Sequence, residues 1–395
     1  MATKSLPREV INRRNAVYAV FFLSGVATAT YLARLPVLRD NLELSTLQVG
    51  FFLLGWASGA VVGLTFSSHI IARFGERRTI RAMLSMAFLA MGTVGFVTVW
   101  FPSFALAFAI VLVFGFGMSV TDVAMNVEGA LVEHAVAKPI MPWFHAFFSA
   151  GTVAGAGVAA LVSLVGLGVD GHFGIGALLS GPLGWWVARY LGESSPASPS
   201  MPEEPRTRAG LAVWLEPRTL AVGLVGLGMA FAEGSANDWL PLAMVDDRGF
   251  SNAQAALWFM LFTGSMTVGR ILGVSLLERF GRVRILQGSS LAAITGLLVL
   301  ILVDSLPAAI VAVIAWGLGS ALGFPVAMSA AADDPVKGPA RVSVVATIAY
   351  GAFLVGPPLI GGLAEQVGVL NALSIVAVVV AVGFLAIPST KERSL

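Results

Sequence analysis

Apolar runs of 18 residues or more recur from one end of the chain to the other, separated by short polar breaks. The runs are continuous rather than alternating, which is the pattern of helices immersed in hydrocarbon and not of membrane strands. Inside a bilayer each segment must satisfy its own backbone polar groups, so a helix is the reading of every such run. The spans drawn from this pattern are 16–38, 47–72, 79–100, 103–131, 142–166, 173–191, 217–245, 252–277, 282–303, 306–332, 341–365 and 369–389. The expected fold class is therefore all-α integral membrane, with twelve transmembrane helices.

Composition agrees. Hydrophobic residues make up 57% of the 395 positions and charged residues only 12%, against about 25% charged in a soluble domain. Mean hydropathy is +0.86. Length alone would allow two or three soluble domains, and hydropathy overrides that reading. The net charge of +2 does not point to nucleic acid, because Lys and Arg fall in short clusters between apolar runs, where they set orientation. With no cysteine and four histidines, none of them closely paired, there is no basis for a disulfide, a metal centre or a cysteine nucleophile. No glycine-rich phosphate cradle stands between a strand and a helix, so no cofactor and no enzyme are expected.

One set of connections holds the N-terminal tail with Lys4, Arg8, Arg13 and Arg14, then "RFGERRTIR", Lys138, the central linker, "RFGRVR", "VKGPAR" and the tail "KERSL". Twenty of the 24 Lys and Arg lie on that side, while the opposite loops hold Arg39 and Arg248 beside Asp246, Asp247 and Asp304. The positive side is cytoplasmic by the positive-inside rule, which places both termini inside a cell inner membrane. The apolar segment after the basic tail is too long for a signal-peptide core and reads as a retained first helix.

The stretch "GESSPASPSMPEEPRTRAG" is the one long polar interruption, and its Pro, Ser and charge make it an extended linker. It divides the chain into an N-terminal six-helix bundle at 1–191, a linker at 192–216 and a C-terminal six-helix bundle at 217–395. The halves repeat. Asp40, Ser45, Gln48, Gly63, Arg73, Phe74 and Gly75 recur 206 positions later as Asp246, Ser251, Gln254, Gly269, Arg279, Phe280 and Gly281, and Leu35–Pro36 recurs 205 later at Leu240–Pro241.

Within the spans, charge is rare. A charge at mid-membrane costs about 3 kcal/mol on insertion scales, so such residues face protein or water. In "SVTDVAMNVEGALVE", Asp122, Asn126, Gly129 and Glu133 share one helical face by their spacing, and Glu128 is rotated away from it and nearer the surface. In "FAEGSANDWLPL", Glu233 and Asn237 share a face beside Asp238. Asp122 and Glu233 are the candidate proton-coupling groups, although a buried acid can also serve only to tie helices together. Arg34, beyond Thr30 and Tyr31 in the first span, is a candidate partner for Glu233 or Asp238, or a snorkelling cation. Arg270 reads as an inter-helix tie. His145 is a candidate proton shuttle or an ordinary hydrogen-bonded histidine. Tyr31, Trp56, Trp239, Trp258, Trp316 and Tyr350 offer rings for stacking on a polar solute, with at least half expected at the lipid face or interface. A desolvated carboxylate holds its proton and releases it when water enters, which links a proton to a solute.

Twelve spans, the parallel duplication and the loop "SHIIARFGERR" with its second copy "VSLLERFGRVR" resemble the major facilitator superfamily over nearly the whole chain. The family's loop signature, Gly-x-x-x-Asp-Arg-x-Gly-Arg-Arg, has Ser68 and Ala72 here in place of its Gly and Asp, and the second copy keeps an acid at Glu278. The resemblance implies a cytoplasmic gate at Arg73, Arg77, Arg78, Glu278, Arg279 and Arg282. The fourth span, with Asp122 followed by Asn126, and the Phe324–Pro325 step resemble the fucose-permease-like branch and YbjJ-type inner-membrane proteins. That implies proton symport of a sugar-like solute with Asp122 as proton carrier, and a substrate cavity with Tyr31, Arg34, Asn126, Asn237, Asp238, His145 and Phe324. The branch's acid in the first span is missing here. The expected protein is a monomer that binds a small-molecule substrate, protons and the lipid bilayer. An exporter of amphipathic compounds and a non-transporting receptor on the same fold are the alternatives; Gly-Pro in the eleventh span and not the fifth tilts against the exporter.

Overall fold

The structure, a computed structural model, describes residues 7–138, 140–192, 213–334 and 337–392. The polar linker expected at 192–216 lies largely outside them. Every described element is helical. The chain divides into two compact units, Met1–Glu43 with Phe52–Pro202, and Leu44–Phe51 with Glu203–Leu395.

The first unit holds α1 (Arg8–Ala33), α2 (Leu35–Asn41), α3 (Thr46–Phe74) from Phe52 onward, α4 (Glu76–Trp100), α5 (Phe104–Val136), α6 (Met141–Leu164) and α7 (Val169–Ala188). The second holds α8 (Pro217–Asp246), α9 (Asn252–Phe280), α10 (Arg282–Leu302), α11 (Leu306–Ser320), α12 (Gly323–Ala331), α13 (Gly338–Val367), α14 (Val369–Ala372) and α15 (Ser374–Ala386), closed by a 3-10 turn at Ile387–Thr390. Counting α1 with α2, α11 with α12, and α14 with α15 gives six spans per unit. Eleven of the twelve are long and apolar enough to cross a membrane; α7 is diluted by Asp170, His172 and its glycines. Three spans expected as continuous are broken, at Arg34, at 321–322 and at Leu373.

The repeated residues turn out to be building devices. Ser45 and Gln48 form a reciprocal cap at the start of α3, with Ser45 N–H to Gln48 Oε1 at 2.9 Å and Gln48 N–H to Ser45 Oγ at 3.3 Å. Ser251 and Gln254 form the same capping box on α9 at 2.9 and 3.3 Å, satisfying donors that a helix start leaves open. Gly75 and Gly281 take φ of 74° and 76° as they turn the chain into α4 and α10, a left-handed backbone that favours glycine. Arg73 lies over Phe74 at 5.6 Å and Arg279 over Phe280 at 5.2 Å.

Helices in a bilayer associate through close packing and not through apolar burial, which favours small residues at contacts. In the first unit α1 and α6 approach backbone to backbone: Gly25 faces the Phe148 carbonyl, Gly151 the Phe22 carbonyl, and a Cβ on Gly155 would stand 2.6 Å from Val26 O. At the matching contact of α8 with α13 the second unit uses rings instead. Phe353 sits on Gly234, and Phe231 on Gly356, where added Cβ atoms would meet ring carbons at 2.7 and 2.6 Å. These notches lock α8 to α13 beside the prolines Pro357 and Pro358.

Candidate functional site

In the first unit the polar face expected on α5 splits. Asp122 is exposed and lies nine residues, half a helical revolution, from exposed Val113, so it points away from the apolar outer stripe. Among the described residues its side chain's one hydrogen-bond partner is Asn126, whose Nδ2 donates to Asp122 Oδ1 at 3.3 Å and also to the Asp122 carbonyl at 2.9 Å. Gly129 is buried against Phe144. Glu133 turns to the start of α6, accepting the N–H groups of Ile140 at 2.7 Å and Met141 at 2.6 Å. The face is thus a two-residue site, with Glu133 serving as a helix cap.

Glu128 leaves that face, as its rotation on the helix implies. It is fully buried, accepts Arg13 Nε at 2.6 Å and Nη2 at 2.8 Å, and takes the Gly192 N–H at 2.9 Å. A buried carboxylate needs this much compensation. The spacing showed only that Glu128 leaves the Asp122 face and gave no sign of its partner.

Arg34 also differs from expectation. It is buried at the break between α1 and α2, and its guanidinium donates to Ser163 Oγ and, at 2.9 Å, to the Leu167 carbonyl. Both of these bonds lie within its own unit. Tyr31 is fully buried between Trp56 and Phe114, with ring centroids at 5.0 and 5.3 Å, so its face is closed to a solute. His145 is exposed on α6 and meets Phe21 edge-on at 5.3 Å.

In the second unit Glu233 Oε1 receives Arg270 Nη2 at 2.9 Å, with both side chains partly exposed. This is the inter-helix tie read for Arg270, and it occupies Glu233. Asn237 and Asp238 are half-buried on the next turn, and Asp238 has no hydrogen bond or ion pair among the described residues. Phe324 on α12 lies tilted against exposed Tyr350 with centroids at 6.0 Å, and Tyr350 likewise against Phe353 at 6.2 Å. The other rings are core: Trp239, Trp258 and Trp316 are buried, and Trp316 Nε1 donates to the Ala232 carbonyl at 3.1 Å. They line neither a lipid face nor an open site, because their bulk fills contacts between helices.

The basic loop residues are dispersed in role. Arg73 and Arg279 lie on neighbouring rings, Arg78 and Glu278 are exposed, and Arg77 is half-buried. Arg282 is bound to Asp333 at 2.9 Å. Asp333 also meets Arg218 at 3.3 Å. Next to this pair, Glu216 accepts Arg341 at 2.7 Å and Lys337 at 2.8 Å. The Arg341 hydrogen bond, with Lys337 second, holds the Glu216 carboxyl down to about 2 from an ordinary 4.5. Arg13, Asp333 and Glu216 escaped the sequence reading, although Arg13 and Arg218 stand 205 apart, in the register of the Leu-Pro repeat.

The family model described as Major Facilitator Superfamily matches residues 3–134 and 140–351. The chain belongs to the Major Facilitator Superfamily. This transporter is 29% identical over 371 residues to an uncharacterized MFS-type transporter of Yersinia pestis, covering 92% of this chain and 91% of the relative. It is 26% identical over 387 residues to the membrane protein MosC of Rhizobium meliloti, covering 96% and 90%. Among solved structures it is similar to an alanine variant of the nucleoside transporter NupG, with a TM-score of 0.81, 14% identity, and coverage of 96% and 100%. It is also similar to a D-xylose-proton symporter, at 0.69, 15%, 98% and 100%, and to the fucose:proton symporter of E. coli, at 0.63, 14%, 98% and 100%. Membership makes this facilitator a multi-pass membrane transporter and not an enzyme; at these identities the solved structures speak for the fold alone.

Proposed function

We propose that this transporter is a proton-coupled carrier of a small polar solute, sugar-like in chemistry, of the fucose-permease-like branch. It works as a monomer in the inner membrane with both termini cytoplasmic, by alternating access around polar groups of its two units. The observation that carries this reading is Asp122: an exposed carboxylate well inside a 33-residue apolar helix, with a single amide partner and no cation among the described residues. No cation among the described residues of its unit competes with a proton for it. Asn126 holds the carboxylate in place while leaving one oxygen open. An intramembrane acid of this kind marks an ion or substrate path.

The two candidate coupling acids differ in what holds them. A proton on Glu233 has to displace a 2.9 Å bond from Arg270, whereas a proton on Asp122 displaces at most an amide. We assign Asp122 as the carrier and the Glu233–Arg270 pair as a charged wall of the solute site. Asn237 and Asp238 supply hydrogen bonds to hydroxyl groups, and Tyr350 with Phe324 supplies an aromatic face. Moving one proton down the membrane potential yields about 2.3 kcal/mol per 100 mV, enough for a useful solute gradient.

The test is uptake into proteoliposomes under an imposed proton gradient, with sugars, nucleosides and organic acids as solutes chosen by thermal shift. Asp122→Asn should abolish gradient-driven accumulation while leaving solute-induced thermal stabilisation intact. Accumulation at the wild-type level in that variant removes Asp122 from the mechanism, and proton release on solute binding turns the reading to export.

A further inference from the structure

The first unit carries a second polar feature, on the opposite side of the chemistry from Asp122. Arg81 lies in the second turn of α4 and makes no hydrogen bond or ion pair among the described residues; its Nε is buried without a partner. Its guanidinium lies over the Trp185 ring of α7 at 4.4 Å. Four residues on, Arg189 lies over Trp186 at 4.5 Å and Tyr190 at 4.7 Å, and donates to Tyr190 Oη at 2.7 Å. Arg77, one turn before Arg81 on α4, adds positive charge to the same end. The nearby acids are engaged elsewhere: Glu128 is bound to Arg13, and Glu76 is buried at the helix start.

We propose that this end of α4 and α7 seats the headgroup of an anionic phospholipid, with Arg81 as its phosphate ligand. Three observations converge. The Arg81 guanidinium rests over an indole at 4.4 Å with no hydrogen-bond partner among the described residues, and a guanidinium so placed is free to bind phosphate. Trp185 and Trp186 are 54% and 50% exposed, as aromatic side chains at headgroup depth are. Below them Leu178, Leu179 and Leu183 continue an exposed apolar face of α7, which gives acyl chains a track leading to the guanidinium. A soluble anion has no use for that track, and a zwitterionic headgroup brings its own cation to a site already rich in arginine. Basic clefts between helices on the positive side of a membrane protein take anionic headgroups for these reasons. The inference does not depend on the transport reading.

The experiment uses delipidated full-length protein in detergent, titrated separately with phosphatidylglycerol, phosphatidylcholine and inorganic phosphate. Retained lipid is followed by native mass spectrometry and the unfolding midpoint by thermal shift. Phosphatidylglycerol should remain bound and raise the midpoint, and the other two should not. Arg81→Gln should weaken retention about tenfold, the loss of one charged hydrogen-bonding partner. Should that variant fold poorly, Trp185→Leu removes the platform without the charge and should weaken retention as well. Equal retention by wild type and both variants, phosphatidylcholine retained as well as phosphatidylglycerol, or inorganic phosphate alone reproducing the shift, overturns the assignment.

Discussion

Each unit ties the start of its first helix to the end of its fourth span with an ion pair, and the two ties differ in which sign sits at the centre. In the first unit Arg13 binds Glu128, with Glu76 acting on Arg13 from the start of α4. In the second, Asp333 binds both Arg218 and Arg282. The positions correspond: 218 − 13 and 333 − 128 are both 205, and 282 − 76 is 206. At the third corner the charge is reversed, Glu76 against Arg282. A cation is flanked by acids in one unit, and an acid by cations in the other. The duplication has kept the place of the tie while the residues at one corner changed sign, which shows that the constraint is on neutralising a fixed contact and not on a particular pair.

Burial separates the two ties more than charge does. Glu128 is fully buried, whereas the Asp333 side chain is 21% exposed. Moreover, Arg218 also donates to the Ser389 and Lys391 carbonyls at 2.9 Å, and Arg282 to the Thr390 carbonyl at 3.3 Å. Breaking a buried pair by removing one partner costs about 3–5 kcal/mol. Because Arg13 remains 26% exposed and can be hydrated, Glu128→Gln should cost about 3 kcal/mol, at the low end of that range. Asp333→Asn leaves its guanidiniums with carbonyl partners and should cost about 1–2 kcal/mol. Thermal unfolding of the two variants side by side decides the matter. Equal losses would mean that burial is not what distinguishes the ties.

The same comparison explains what the sequence discloses. The seven residues repeated in one register are positions where only one residue type does the job: a Ser and Gln that cap a helix reciprocally, a glycine at φ of 74° or 76°, an arginine resting on the next ring. Their identity is the signal, and it shows that the two six-span halves, themselves drawn from hydropathy and the polar linker, are copies in one register. An ion-paired corner has no such signature, because Glu and Arg serve equally well when the partners change with them. Arg13, Glu128 and Asp333 were therefore invisible as a set. Tyr31 and Trp239 were misread for a related reason: in a chain this apolar, hydropathy does not separate a ring packed between helices from one lining an open site. Asp122 and Asn126 were legible because spacing on one helix fixes their neighbourhood, and Glu133 was not because its partners are backbone groups across a turn.

Acid should act on the second unit first. Ile11 stands where the register would place a counterpart of Glu216, so the Glu216–Arg341–Lys337 cluster has no equivalent in the first unit. Because the folded carboxyl is held at about 2 against an ordinary 4.5, the unfolded chain binds the proton more readily. The stabilisation is complete above pH 4.5 and is lost as pH falls towards 2. Solvent reaches this cluster, so the loss should be about 1 kcal/mol rather than the full value of the shift. Glu216→Gln should flatten the acid limb of an unfolding titration; an unchanged limb would assign it to other carboxylates.

The smallest effect is expected where the halves use different residues at one bend. Arg34 and Trp239 correspond at an offset of 205, each just before a Leu-Pro pair. The first helix breaks at Arg34, with φ −102° and ψ 5°, while α8 runs unbroken through Pro241 to Asp246. Proline alone therefore does not set the break; Arg34 does, by bonding outwards to Ser163 and to the Leu167 carbonyl. Trp239 has no such anchor: it is fully buried and its Nε1 has no hydrogen-bond partner among the described residues. Trp239→Phe loses packing worth about 1–2 kcal/mol and removes an unsatisfied donor whose burial costs about 1–3 kcal/mol. These terms oppose each other, so the variant should unfold within about 1 kcal/mol of the wild type. A loss well beyond that would show that the indole N–H has a partner in the folded protein, and that both bends are anchored after all.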